Sequence, residues 1–350
     1  MQNSSLDLRE RDPAGFRIKM TSSAKDCELI PKVTNAGEIY SLSNNQQVQV
    51  MHNGLLIEKD CYFGPWMTEI IANLRGHHEP QEEYVFYKLL EKLNSEQNSK
   101  QSVILELGSF WAYYSMWFLK EVEGSRAILL EPDRRRLEIG EKNFKLNQLS
   151  GTFIDGAIGK NPGLTSDFLL EADNQIVKVK EYDLSLMLSE FDLDHVTIVM
   201  CDIQGGESFL FEKEINLLMS GKIRFLVIST HHHTISSNPA LHQDLLGYFK
   251  SLNCFIISEH SVVESFSGDG LIVVSFAEKD QNFKIDVSKN RSSESLFKPL
   301  ELELRELMEL RKPKIRSFNK VSLELQKSFK SKMKVINPVN ILKSFLFKGK

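Results

Sequence analysis

The sequence predicts an α/β protein with a doubly wound, Rossmann-like, mostly parallel sheet and helices on both faces. Three observations carry this. Short β-branched runs recur between residues 102 and 276, segments of helical spacing separate them, and the runs are apolar throughout rather than alternating. Continuously apolar strands that alternate with helices belong to a parallel sheet buried on both sides.

The elements follow in order. Residues 1–50 are polar and weakly patterned, and read as loosely ordered. Residues 51–78 read as a strand pair with a turn at Gly64-Pro65, and His77-His78 as a surface turn, with the border of a cofactor mouth as the alternative. EPQEEYVFYKLLEKLN (79–94) places Val85, Phe86, Leu89, Leu90 and Leu93 at helical spacing. SVILELG (102–108) is the first buried strand, and the following helix carries Tyr114 and Trp117 as core residues. Strands at 127–132, 152–159, 196–203 and 223–230 alternate with helices at 134–147, 207–221 and 239–253; IVKVKEYD (176–183) interrupts them in a longer insert. The last two strands, 254–260 and 270–276, are joined by a link without a helix, so the final one runs antiparallel to its neighbour. Without the insert, the sheet has seven strands.

Length and composition fit a soluble globular chain: 350 residues, 41% apolar and 26% charged. No apolar run reaches the roughly 18 residues of a membrane span. The polar N-terminus lacks a signal core, and the widely spaced Cys27, Cys61, Cys201 and Cys254 form no paired motif, so a cytoplasmic location with reduced thiols is expected. The net charge of −4 is uneven: residues 311–350 hold 12 Lys/Arg against Glu324 alone. This tail is a candidate for peripheral membrane contact, with docking on the acidic body as the plainer reading. Nucleic acid is not expected as a partner.

A doubly wound sheet binds ligands beyond the carboxyl ends of its strands, at the switch in strand order. That singles out Glu106–Gly108, Glu131, Asp155–Gly156, Asp202 and Thr230–His231. Glu131 ends the strand after Glu106, where a carboxylate can accept both ribose hydroxyls of a nucleoside; it can equally cap the next helix. The loop Gly108-Ser-Phe-Trp-Ala112 holds one glycine. A dinucleotide's pyrophosphate needs closer backbone approach than that, so an adenosyl ligand without a diphosphate fits better than NAD(P).

CDIQGGESFLF (201–211) sharpens the reading. With Gly108, Ala112 and Ser115 in the first loop, Glu131-Pro132, and Asp202, Gly205 and Glu207 at the fourth strand, the chain resembles the FkbM-type family of class I S-adenosylmethionine-dependent methyltransferases. The resemblance spans about residues 77–277. It implies a domain at 77–278 between an N-terminal extension (1–76) and a charged C-terminal extension (279–350). It implies S-adenosyl-L-methionine as cofactor, held by Glu106, Gly108, Phe110, Ala112, Glu131, Asp155, Gly156 and Asp202. The implied reaction is O-methylation of a saccharide or other small hydroxylated acceptor. Glu106, Phe110, Ala112 and Gln204 depart from the family's usual residues, and Gln204 argues against a metal at this turn. A hydroxyl needs a base as it attacks, and Asp202, His231 and His233 are the candidates. A non-catalytic adenosyl-binding module and an NAD(P) oxidoreductase are the alternatives.

Overall fold

The structure, a computed structural model, describes residues 12–96, 101–170, 172–290 and 296. The chain divides at residues 299–300, and every described residue belongs to the first unit. The basic tail at 311–350 lies outside the described residues.

The N-terminal segment is more ordered than its sequence suggests. Helix α1 (Pro13–Thr21) begins on a proline, whose missing N–H costs nothing in a first turn, and Asp12 caps it by accepting from Gly15 N at 2.9 Å. Strands β1 (Ile39–Ser41), β2 (Gln47–Val50) and β3 (Leu56–Glu58) pair antiparallel in a small separate sheet. Gly64-Pro65 does not turn the chain; it opens helix α2 (Pro65–Asn73), with the proline again in the first turn. These residues order because Phe16, Met20, Cys27, Ile30, Met51 and Ile57 are buried. Their irregular spacing hides that burial from any periodic reading.

Helix α3 (Pro80–Ser95) buries Val85, Phe86, Leu89, Leu90 and Leu93, the face that the spacing predicts. The alternation then runs β4 (Val103–Leu107), α4 (Tyr113–Glu121), β5 (Arg126–Glu131), α5 (Arg134–Leu146), β6 (Thr152–Ile158), β7 (Thr165–Leu169), β8 (Ile176–Tyr182), α6 (Leu184–Glu190) and β9 (Val196–Cys201). It closes with α7 (Glu207–Lys213), α8 (Ile215–Met219), β10 (Ile223–Thr230), α9 (His233–Ser236), α10 (Leu241–Ser251), β11 (Phe255–His260) and β12 (Gly270–Ser275).

These strands form one nine-stranded sheet in the order β11-β12-β10-β9-β4-β5-β6-β8-β7. The pairs from β10 through β8 are parallel, and β12 lies between β10 and β11, antiparallel to both. The expected antiparallel last strand is therefore present. The expected seven strands become nine because the 165–182 segment is a hairpin that extends the sheet edge and because β7, the half-exposed TSDFL, carries no continuous apolar run. The strand order reverses between β4 and β9, and their ends define the switch point.

Alternate residues of each strand enter opposite cores. Ile104, Ile198 and Met200 face α3, α4 and the N-terminal segment, whereas Leu105, Leu107, Val199 and Cys201 face α6, α7 and α10. Trp117 and Phe86 are fully buried in the first core with ring centroids 5.2 Å apart. Each such side chain contributes about 1.5–3 kcal/mol by leaving water. No helix among the described residues is long and apolar enough to cross a membrane.

Candidate functional site

The loops after β4, β5 and β9 are stitched together at the switch point. Asp202 N donates to Leu107 O at 2.9 Å, and Gly108 N and Ser109 N both donate to Leu130 O. Gly108 has φ +79°, and a Cβ there would stand 1.9 Å from the carbonyl oxygen of Asp202. No side chain fits, so the one glycine of this loop is a steric requirement. Phe110 and Ala112 also adopt positive φ, +38° and +65°, although they carry side chains. Backbone strain of this kind is kept where the surroundings over-determine it, often at functional sites. Ala112 itself is buried behind the loop.

The loops open onto a cavity of about 730 Å³. Glu106, Gly108, Phe110, Glu131, Gly156, Asp202 and His231 all line it, and Ala112, Asp155 and His233 do not. Period-two alternation along β6 explains one of these: Asp155 is exposed on the face opposite its neighbour Gly156. His233 belongs to the short helix α9; Thr234, Ile235, Ser236 and Ser237 of that loop reach the cavity instead.

Glu106 and Glu131 hold the first loop in place. Glu106 Oε2 accepts from Ser115 N at 3.0 Å. Glu131 accepts from Phe110 N at 3.1 Å through Oε2 and from Asp133 N at 3.0 Å through Oε1. Burial pushes each carboxyl up to about 7, against the pull of these hydrogen bonds. The Phe110 ring is fixed by the Arg136 guanidinium 4.5 Å from its centroid and by Tyr62, edge-on at 5.2 Å. Tyr62 stacks on Trp111 at 4.5 Å. Phe110, Trp111 and Tyr62 thus form one aromatic cluster along the cavity.

Across the cavity stands His231, at the end of β10. Its Nε2 lies 2.9 Å from Asp202 Oδ1 and 4.0 Å from Asp269 Oδ1, and its Nδ1 lies 3.5 Å from Glu207 Oε1. Burial disfavours charge on the ring, but the carboxylates of Asp202 and Glu207, with Asp269 beyond, outweigh it and hold the imidazole protonated well above its ordinary range. Burial pushes the Asp269 carboxyl up to about 6, against His231 and Arg17. Glu207 also shapes the turn between β9 and α7, accepting from Ile203 N at 3.2 Å and Gly205 N at 2.7 Å. Gly205, φ +110°, is pressed against Ser236: a Cβ would lie 2.9 Å from its Cα.

His77-His78 is not a surface turn; both residues are buried. Glu83 draws them in. Its Oε2 meets His77 Nδ1 at 2.5 Å, and its Oε1 accepts from His78 N at 2.7 Å and lies 2.6 Å from His78 Nδ1. Burial works against charge on His78, yet Glu83 and Glu79 raise it to about 10. His78 and Glu79 both line the cavity. Acids in a first helical turn are ordinarily solvated, so EPQEE gave no sign that Glu83 turns inward to the two histidines. Tyr114, packed in the core, also reaches the cavity with its hydroxyl 3.5 Å from Glu79.

Among the described residues, His52, His77 and Glu83 bring possible metal-ligand atoms within 4.8 Å of one another. They are already joined by hydrogen bonds, with His52 Nδ1 2.9 Å from the Tyr113 hydroxyl and that hydroxyl donating to Glu83 at 3.3 Å. This group locks β2's following turn to α3 behind the cavity.

No family model matches the chain, and no curated protein matches it. Among solved structures, the N-terminal domain of human METTL16 is 12% identical, with 77% of this chain and 97% of that one covered at a TM-score of 0.40. The same human domain in complex with SAH is 11% identical over the same shares, at 0.39. M. capricolum TrmK in complex with S-adenosyl-homocysteine is 17% identical, covering 71% of this chain and 96% of that one, at 0.34. At such scores the fold assignment rests on the order and direction of the strands themselves.

Proposed function

We propose that the chain is an S-adenosylmethionine-dependent methyltransferase that acts on a hydroxyl of a saccharide or related small metabolite. One observation carries this reading: a cavity at the switch point with a buried carboxylate, Glu131, on one side and the Asp202–His231 pair on the other. The sugar part extends the resemblance to the FkbM-type family.

Glu131 would accept from the ribose hydroxyls, since each of its oxygens keeps a lone pair beyond its backbone bond. The cavity beside Gly108 would take the adenosyl group, and the cluster of Phe110, Tyr62 and Trp111 along it disfavours a diphosphate. When bound, the cofactor supplies an electrophilic methyl group on sulfur. The protein's own task is then to position the acceptor and receive a proton.

The carboxylates around His231 favour its protonated form, which makes it the poorer candidate for the base. Asp202, about a third exposed to the cavity, is the better one. An alcohol oxygen becomes strongly acidic as its new C–O bond forms, so an ionised carboxylate is basic enough to take the proton. His231 fixes the orientation of that carboxylate and balances its charge. Titration calorimetry with S-adenosylhomocysteine tests the reading. Binding is expected, weakened about tenfold or more in Glu131→Ala through loss of charged hydrogen bonds; no binding to the native chain would sink it.

A further inference from the structure

Exposed apolar residues scattered singly over a surface need no explanation. Phe63, Leu169 and Ile235 come from three separate segments, and all three line one cavity while staying exposed. Leu169 is 59% exposed, Phe63 42% and Ile235 37%. Phe63 is held in the left-handed region at φ 51°, an unfavourable conformation for an aromatic residue, with its ring against Phe110 at 5.5 Å. The same cavity also has a polar lining: His78 and His231, which are buried, and Asp202 and Asp269, which are partly exposed.

A cavity lined by both exposed apolar and polar side chains is complementary to an amphiphile. We infer that the acceptor carries an alkyl or aryl group next to its reacting hydroxyl, and that Phe63, Leu169 and Ile235 form the subsite for that group. This rests on the methyltransferase reading for the role of the polar lining, but the subsite is set by the three apolar residues alone. A fully hydroxylated acceptor would leave these three side chains in water on binding. An apolar substituent would cover them, and each methylene buried adds about 0.8 kcal/mol.

The test uses the full chain saturated with S-adenosylhomocysteine. Two probe pairs differ only in their apolar part: methyl against octyl β-D-glucoside, both below the micellar threshold, and 1,2-propanediol against 1,2-octanediol. The longer member of at least one pair should bind ten times more tightly or better. Leu169→Ser/Ile235→Ser should cut that gain at least threefold, as should Phe63→Ser alone. Equal affinities within both pairs, a gain that survives both variants, or no binding of any probe would overturn the subsite. If S-adenosylhomocysteine itself does not bind, the cofactor reading fails, and the same titrations on ligand-free protein still decide the subsite. Sedimentation with neutral phosphatidylcholine vesicles covers the other occupant: pelleting that depends on Leu169 and Ile235 would make these residues a membrane contact and overturn the proposal.

Discussion

Gly108 and Asp202 touch backbone to backbone, so closely that a Cβ on the glycine would stand 1.9 Å from the aspartate's carbonyl oxygen. This contact fixes the distance between the loop that would hold the adenosyl group and the carboxylate proposed as base. Gly108→Ala must therefore separate the two strand ends, and the left-handed φ adds strain. A loss on the order of 2 kcal/mol or more is expected, together with loss of S-adenosylhomocysteine binding. Denaturant melts and calorimetry check both; an alanine variant that binds normally would show that the loops move freely.

Glu106 gives a stability prediction with an unusual sign. Its folded pKa lies at about 7, above the ordinary 4.5. Below pH 4.5 the carboxyl is neutral folded and unfolded, so it costs nothing. As pH rises through 7 the buried group must ionise, and stability falls by roughly 3 kcal/mol, an upper estimate. Glu106→Gln removes that titration. Urea midpoints from pH 4.5 to 8.5 should decline less steeply in the variant than in the native chain.

Glu83 carries the opposite sign. Burial would raise its pKa, but His77 and His78 hold it well below the usual value. Its contribution is present above the unfolded value near 4.5 and is lost only as pH falls through the depressed folded one. Glu83→Ala leaves two buried histidines without their carboxylate, a loss of about 3–5 kcal/mol. Glu83→Gln should lose less, since the amide still accepts. Chemical denaturation at pH 7 ranks the three chains; equal stability of all three would remove the network as a structural anchor.

The parallel sheet was legible because its strands are apolar on both faces, from Val103–Leu107 through Ile223–Thr230. Gly108, Glu131 and Asp202 were legible because they end strands, and strand ends fix their place. What stayed hidden depends on contacts between distant segments. Ala112's role as a strained, buried loop residue shows only in its φ angle. Asp269 gave no signal in a short SGDG link, yet it faces His231 from another loop. Arg17, whose Nε donates to Ser267 O at 3.1 Å, joins that link from a helix in a segment that reads as unstructured. His78 was misread because its partner, Glu83, is one of several acids in a stretch that scores as solvent-facing.

His231 offers the most direct measurement of the proposed chemistry. Three carboxylates surround its ring, and they hold it protonated in the folded chain. Because its folded pKa is raised above 6.5, the stability it brings is complete below pH 6.5 and is lost only as pH rises through the folded value. Its ring protons, followed by NMR, should therefore show no titration between pH 5.5 and 7.5. Asp202→Asn removes the nearest of the three carboxylates, so the titration should move down toward the ordinary range while S-adenosylhomocysteine still binds. A native His231 that titrates near 6.5 would return it to the role of base and leave Asp202 as its orienting partner. If the ring stays protonated, Asp202 keeps the role of base.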